Sequence, residues 1–358
     1  MDDPLDGATE ALLVALPKVS LHNHLIGAVS AQTVLDLARK HDVVLDGGRD
    51  AESLYDHGSY EDLNEFLRVL DVAGSVMRDA DDFRRVAFET LTDGGAALGV
   101  VHREIFLSPP GHPGVPYRTI IDGVLAGMRD AEAETGMTSR MVIGLNRNDS
   151  ASAAVELVEQ VVEYRIDEVV GIGLDYSESI GPPARFVEAF RLAGRSGLRR
   201  TAHSESGPPA NIEVILDELG GERIDHGYHV VDDARITARC VAEGITFTCT
   251  PVSSDIGRYS GSGDGSHRRI AQMVDAGLRI TIDSDDPPMF GTDAVNDFRA
   301  LARTLGYGLP EFADFTRNAV NAAWLDGSDR AALSQVVESR LSALGASSAQ
   351  RDQGQHDR

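Results

Sequence analysis

The sequence predicts an α/β chain folded as a (β/α)8 TIM barrel, with extra helices between strands 1 and 2 and closing helices at the C-terminal end. Three observations predict it. Short β-branched apolar runs alternate with amphipathic helical stretches along the whole chain. Eight such runs occur, the number a closed parallel barrel needs. No Gly-rich GxGxxG turn follows any of them, which argues against the competing doubly wound open sheet.

In chain order, the opening MDDPLDGATEALLVALP has an apolar patch but acidic residues where a signal peptide carries basic ones, so it reads as the first helix of a cytoplasmic protein. Strands are expected over 18–22, 100–106, 140–145, 168–174, 198–203, 223–226, 245–249 and 278–283. Helical patterns separate the later strands, for example over 183–196, 210–219 and 232–243. The interval 29–97 is too long for a simple βα unit; it holds helical stretches over 60–73 and 81–94, expected beside or over the barrel mouth as a partial lid. Closing helices are expected over 295–305, 309–324 and 330–344, and the polar tail 346–358 reads as disordered.

At 358 residues with 42% hydrophobic, the chain has the apolar content for one large domain over 1–345. No apolar run approaches the roughly 20 residues that cross a bilayer. A net charge of −24 argues against nucleic-acid phosphate or anionic lipid as a partner and leaves a small-molecule substrate. Cys240 and Cys249 are the only cysteines and form no CxxC pair, which disfavours a disulfide framework and a thiolate zinc site. Lys occurs only at 18 and 40, an Arg bias that points to a GC-rich bacterial genome.

His22 and His24 sit two apart at the end of the first strand, so both imidazoles face one side. His203 ends the fifth strand, His226 the sixth and Asp285 the eighth. Barrel enzymes gather their chemistry at these C-terminal ends. An HxH pair alone, in a chain with 11 His, arises readily by chance. Agreement of four strand ends in the right order does not. Three neutral imidazoles and a carboxylate suit zinc, with room for a water.

These residues lie in segments that resemble the adenosine deaminases. Leu16-Pro17-Lys18, followed by a strand ending His22-Asn23-His24-Leu25, is similar to that family's opening. Arg103-Glu104-Ile105-Phe106-Leu107-Ser108-Pro109, Thr201-Ala202-His203 and Ile224-Asp225-His226-Gly227 follow in order. Cys249-Thr250-Pro251-Val252-Ser253-Ser254, His267, Ser284-Asp285-Asp286-Pro287 and Asn318-Ala319 complete a likeness over roughly residues 12 to 335. The resemblance implies one zinc ion per chain on His22, His24, His203 and Asp285. It also implies that His226 orients the attacking water, that Asp285 accepts its proton, and that Asp286 faces a ring nitrogen.

Elsewhere the chain departs from the family. Where the fifth-strand motif reads HAGE, with a Glu that protonates the ring, this chain reads His203-Ser204-Glu205-Ser206. Ser206 takes the Glu slot, and a hydroxyl is no general acid at neutral pH. A loop shorter by one residue would let Glu205 take the role; on an extended segment the offset turns it to solvent, which is the expectation adopted here. Ile26 replaces the acid that binds a sugar hydroxyl, and Tyr176 replaces a small residue beside the base. The water-activating half is kept while substrate recognition is altered, so adenosine is expected to be a poor substrate. The expected activity is hydrolysis of a C–N bond in a small nitrogen heterocycle, with Asp175, Glu178, Glu205 and Asp286 favouring a neutral or cationic one. Two alternatives stand beside it: opening of a cyclic amide without ammonia release, and a catalytically silent zinc protein that binds a ligand.

Overall fold

Each apolar run forms a strand, because β-branched side chains pack well when a parallel sheet is buried on both faces. In the computed structural model, which describes residues 5–45, 51–55, 60, 63–256 and 265–356, the strands are β1 (Lys18–His24), β2 (Val100–Leu107), β3 (Thr138–Asn146) and β4 (Val169–Asp175). β5 (Arg199–His203), β6 (Arg223–Asp225), β7 (Thr246–Cys249) and β8 (Arg279–Ile282) complete the set. Neighbours pair in parallel in the order β1-β2-β3-β4-β5-β6-β7-β8. The ring is drawn shut where Asn23 bridges Asp285: the His24 N–H donates to the Asp285 carbonyl at 3.0 Å and the Asp285 N–H to the His22 carbonyl at 3.2 Å. The expected barrel is present, and closure itself brings two metal-ligand candidates together.

The first helix, Gly7–Ala15, starts on Asp6, whose carboxylate accepts from the N–H groups of Ala8 and Thr9 at 2.9 and 2.8 Å. Its far end is held by buried Lys18, whose Nζ donates to the carbonyls of Leu13, Leu16 and Leu98 at 2.7, 3.0 and 3.0 Å. One lysine thereby satisfies orphan helix carbonyls and ties helix, β1 and the approach to β2 together.

Between β1 and β2 the described helices include Ala31–Lys40, Leu63–Ser75 and Ala80–Thr92. They divide the work. Leu63–Ser75 lies over the barrel mouth, whereas Ala80–Thr92 packs on Tyr117–Thr135 in the outer ring, so closely that a Cβ at Gly123 would lie 2.4 Å from the Ala80 carbonyl. Only part of the expected lid therefore covers the mouth. The predicted 210–219 helix changes pitch midway, from α over Ala210–Val214 to π over Ile215–Leu219. The last helix runs Gly327–His356, past 344 where its end was expected; the Ala, Gln and Arg of that stretch are good helix formers. Residues 357–358 lie outside the described ones. No described helix is long and apolar enough to cross a membrane.

Candidate metal centre and active site

Strand alternation sends His22 and His24 to one point, β5 delivers His203 as its last residue, and the turn after β8 delivers Asp285. One ligand atom from each of the four lies within 4.8 Å of every other. His22 Nε2 is 3.1 Å and His24 Nε2 3.3 Å from Asp285 Oδ1, and His24 Nε2 is 3.2 Å from His203 Nε2. Donors at ~2.0–2.1 Å from a tetrahedral zinc would be roughly 3.3–3.4 Å apart, so these spacings suit such an ion.

The hydrogen bonding points the same way. His203 Nδ1 donates to the Leu174 carbonyl at 3.0 Å, which leaves its Nε2 lone pair aimed at His24. His22 Nδ1 faces Asp225 Oδ1 at 3.4 Å, which turns its Nε2 toward Asp285. Lone pairs crowded against one another and against a carboxylate repel unless a cation sits among them. Burial opposes charge on His22, yet the carboxylates of Asp225 and Asp285 outweigh it and raise its pKa to about 10. The site thus draws a cation to Nε2, and a metal ion there would take the proton's place. Burial keeps His203 well below the usual histidine range, hence a neutral ligand. Asp225 was not singled out by the sequence reading. It lies fully buried between His22 and His203, accepts from Thr248 Oγ1 at 3.1 Å, and orients the metal ligands as a supporting carboxylate.

Around this centre stand three of the four described non-glycine residues with positive φ: Tyr176 (66°), His226 (62°) and Asp285 (61°). Left-handed backbone costs such residues about 1–3 kcal/mol, and here it turns each side chain inward from just past a strand. His226 Nδ1 lies 3.0 Å from Thr250 Oγ1, and burial pushes its pKa down to about 3, so the ring is neutral. Asp285 Oδ2 accepts from Ser253 Oγ at 2.6 Å. Asp286 is buried with Oδ1 unpaired; burial, then the neighbouring Asp285 charge, raises its pKa to about 8. It fits only because residue 27 is glycine, since a Cβ there would lie 1.6 Å from Asp286 Oδ1.

Glu205 is where expectation and structure part. It does not face solvent: it is 8% exposed, lines the cleft, accepts from Ser254 Oγ at 2.5 Å and stands 3.7 Å from His226 Nδ1. Ser206 is the exposed one, at the rim. The alternation rule fails because residues 205–207 are a bend, not extended chain. Burial above all lifts the Glu205 carboxyl well above its usual range, against the Ser254 hydrogen bond.

The cleft has an acidic floor of Asp175, Glu205, Asp285 and Asp286. Its roof is Ile26 with Leu63, Phe66, Leu67 and Leu70 of the covering helix, residues the sequence reading did not single out. Tyr176 closes one side, its Oη donating to Asp71 Oδ1 of that helix at 3.3 Å. No Lys or Arg is among the described lining residues. Of the expected acidic residues, Asp175 accepts from Ser108 Oγ at 2.5 Å, and Glu178 spends its carboxylate on backbone N–H groups. A second acid cluster, His41 with Asp79 and Asp82, already pairs with Lys40 Nζ, at 2.9 and 2.6 Å from the two carboxylates.

Known proteins are similar to this chain in sequence and fold. The chain is 34% identical to an adenine deaminase of Streptomyces coelicolor, covering 88% of this chain and 92% of that one. It is 31% identical to an adenine deaminase of Caulobacter vibrioides, with 94% and 97% covered. Among solved structures, an amidohydrolase from Burkholderia ambifaria with bound Zn superposes with a TM-score of 0.88 at 30% identity, covering 97% of this chain and 96% of that one. An adenine deaminase from Arthrobacter aurescens gives 0.85 at 29%, with 92% and 98% covered. A family model described as adenosine deaminase matches residues 17–340, nearly the whole barrel and every residue of the centre. The chain therefore belongs to the adenosine deaminase family, and it is a metal-dependent deaminase of the amidohydrolase type.

Proposed function

We propose that the protein holds one zinc ion on His22, His24, His203 and Asp285 and hydrolytically removes ammonia from a 6-aminopurine base, or an isosteric amino heterocycle, that carries no sugar. The observation that carries the reading is the cleft itself: a carboxyl floor under an apolar roof, with Ile26 at 2% exposure where a sugar-binding acid would stand. Relatives named adenine deaminase support the same substrate class.

A bound zinc ion would supply Lewis acidity, bringing the pKa of water down to about 7. The chain's own groups do the rest. His226, held at Nδ1 by Thr250, keeps Nε2 for the attacking water. Asp285, steadied by Ser253, takes the proton of that water. Glu205 delivers a proton to the ring nitrogen beside the attacked carbon. Asp285 passes the water's proton to the amino group, which leaves as ammonia, while the hydroxyl left on that carbon returns its proton to the Glu205 carboxylate and becomes the ring carbonyl. Asp286, with Oδ1 unpaired, hydrogen-bonds a second ring nitrogen. Because no Lys or Arg is among the described lining residues, none of them offers a nucleotide phosphate a cationic partner. The cyclic-amide alternative depended on the lack of a general acid, which Glu205 removes.

The test is ammonia release by the zinc-loaded protein from a panel of nucleobases, nucleosides and lactams. Steady ammonia from an amino-substituted base is the expected result. Product without ammonia from a lactam, or preferred turnover of nucleosides, would overturn it.

A further inference from the structure

Glu205 reaches the site only because the chain bends after His203, and the structure shows what bends it. Three consecutive N–H groups, of Glu205, Ser206 and Gly207, converge on the carboxylate of Glu178 from the loop after β4. The first two donate to Oε1 at 2.5 and 3.1 Å, and the third to Oε2 at 3.0 Å. Successive N–H groups wrapped round one anion form a nest, a shape an extended segment cannot adopt. Hydrogen bonds to a charged acceptor are roughly twice as strong as neutral ones. The nest leaves no room for a side chain at its third position: a Cβ on Gly207 would lie 2.8 Å from Glu178 Oε2 and 2.3 Å from Asn211 Nδ2. Arg147, wholly buried, braces both loops from beneath, donating to the carbonyls of Gly181 (3.0 Å) and His203.

We propose that Glu178 is a positioning residue for the proton-transfer step: by anchoring the 205–207 nest it aims the Glu205 carboxyl into the cleft. This assigns the Glu178 carboxylate to the neighbouring loop, and not to substrate charge. The inference rests on the role of Glu205 proposed above. It also accounts for the one-residue offset of the carboxyl, because the nest turns the chain early enough for one at 205 to do what one at 206 would otherwise do.

The test is a double-mutant cycle with a crystal structure beside it, on full-length, zinc-loaded protein. Glu178→Ala should lower kcat at least tenfold, with KM changed less than threefold and zinc still near one per chain. Glu178→Gln, which keeps one oxygen for the first two N–H groups, should fall between Ala and wild type. In the Glu205→Gln background, Glu178→Ala should cost less than a further twofold, since a residue acting through another has nothing left to lose. The Glu178→Ala structure should show Glu205 parted from Ser254. Losses that multiply in the double variant, or a Glu205 still hydrogen-bonded to Ser254 in Glu178→Ala, would overturn the proposal. The structural readout needs no turnover, so it separates this failure from that of the deaminase reading, which would appear as wild-type protein releasing no ammonia from any amino heterocycle.

Discussion

At residue 205 a single carboxyl carries the ring protonation in the reaction proposed above. It lies buried against Ser254 and His226, and burial lifts its carboxyl well above the usual range. Glu205→Gln keeps the shape and removes the titrating group, so kcat should drop by roughly 10²–10⁴-fold. Zinc content by elemental analysis should stay near one per chain; a loss under tenfold would assign the proton to another group. A smaller residue carries a comparable constraint. Gly27→Ala puts a methyl where Asp286 Oδ1 now lies, so Asp286 must move and kcat/KM should fall at least tenfold with the metal unchanged. The metal ligands were legible in the sequence because each follows a strand end, where topology leaves little choice. The direction of Glu205 was not, because it depends on a carboxylate 27 residues away in another loop. Asp225 was equally hidden: it precedes His226, and simple alternation sends two neighbours to opposite faces, but the left-handed backbone of His226 brings both inward.

Among the elements, strands were read within a few residues at either end, since apolar β-branched runs between turns have few other uses in a chain of this pattern. Helix roles were harder. Periodicity finds the apolar stripe of Leu63–Ser75 but does not say that Phe66, Leu67 and Leu70 line a cleft, while Ala80–Thr92 from the same interval joins the outer ring. Lys18 shows how an element junction is fixed by one side chain. Its Nζ serves three carbonyls, two at the end of the first helix and one before β2. Lys18→Met keeps the stem and removes the donors, leaving buried acceptors unsatisfied at a cost of about 1–3 kcal/mol. A lower urea midpoint at unchanged slope, with zinc content intact, is the expected outcome. An unchanged midpoint would show the first helix to be held by its apolar contacts alone.

For the whole molecule, barrel closure and the metal site are one event: β1 meets β8 through Asn23 and Asp285, between the residues that carry His24 and the last ligand. Metal should therefore stabilise the fold as well as activate it, since a ligand that binds only the folded state adds RT ln(1 + [L]/Kd) to stability. His22→Ala should lose most of its zinc and unfold at a lower temperature than the loaded wild type; full zinc retention would contradict the ligand assignment. The central claim is that this centre deaminates a base without its sugar. The most direct measurement is the ratio of kcat/KM, by ammonia release, for the best aminopurine base over its own ribonucleoside. The account predicts a ratio above about 100, because a nucleoside would press sugar hydroxyls against Ile26 and the apolar roof, leaving polar groups unpaired. A ratio near one, or a nucleoside kcat/KM of about 10⁴ M⁻¹s⁻¹ or more, in the range of efficient enzymes, would contradict it.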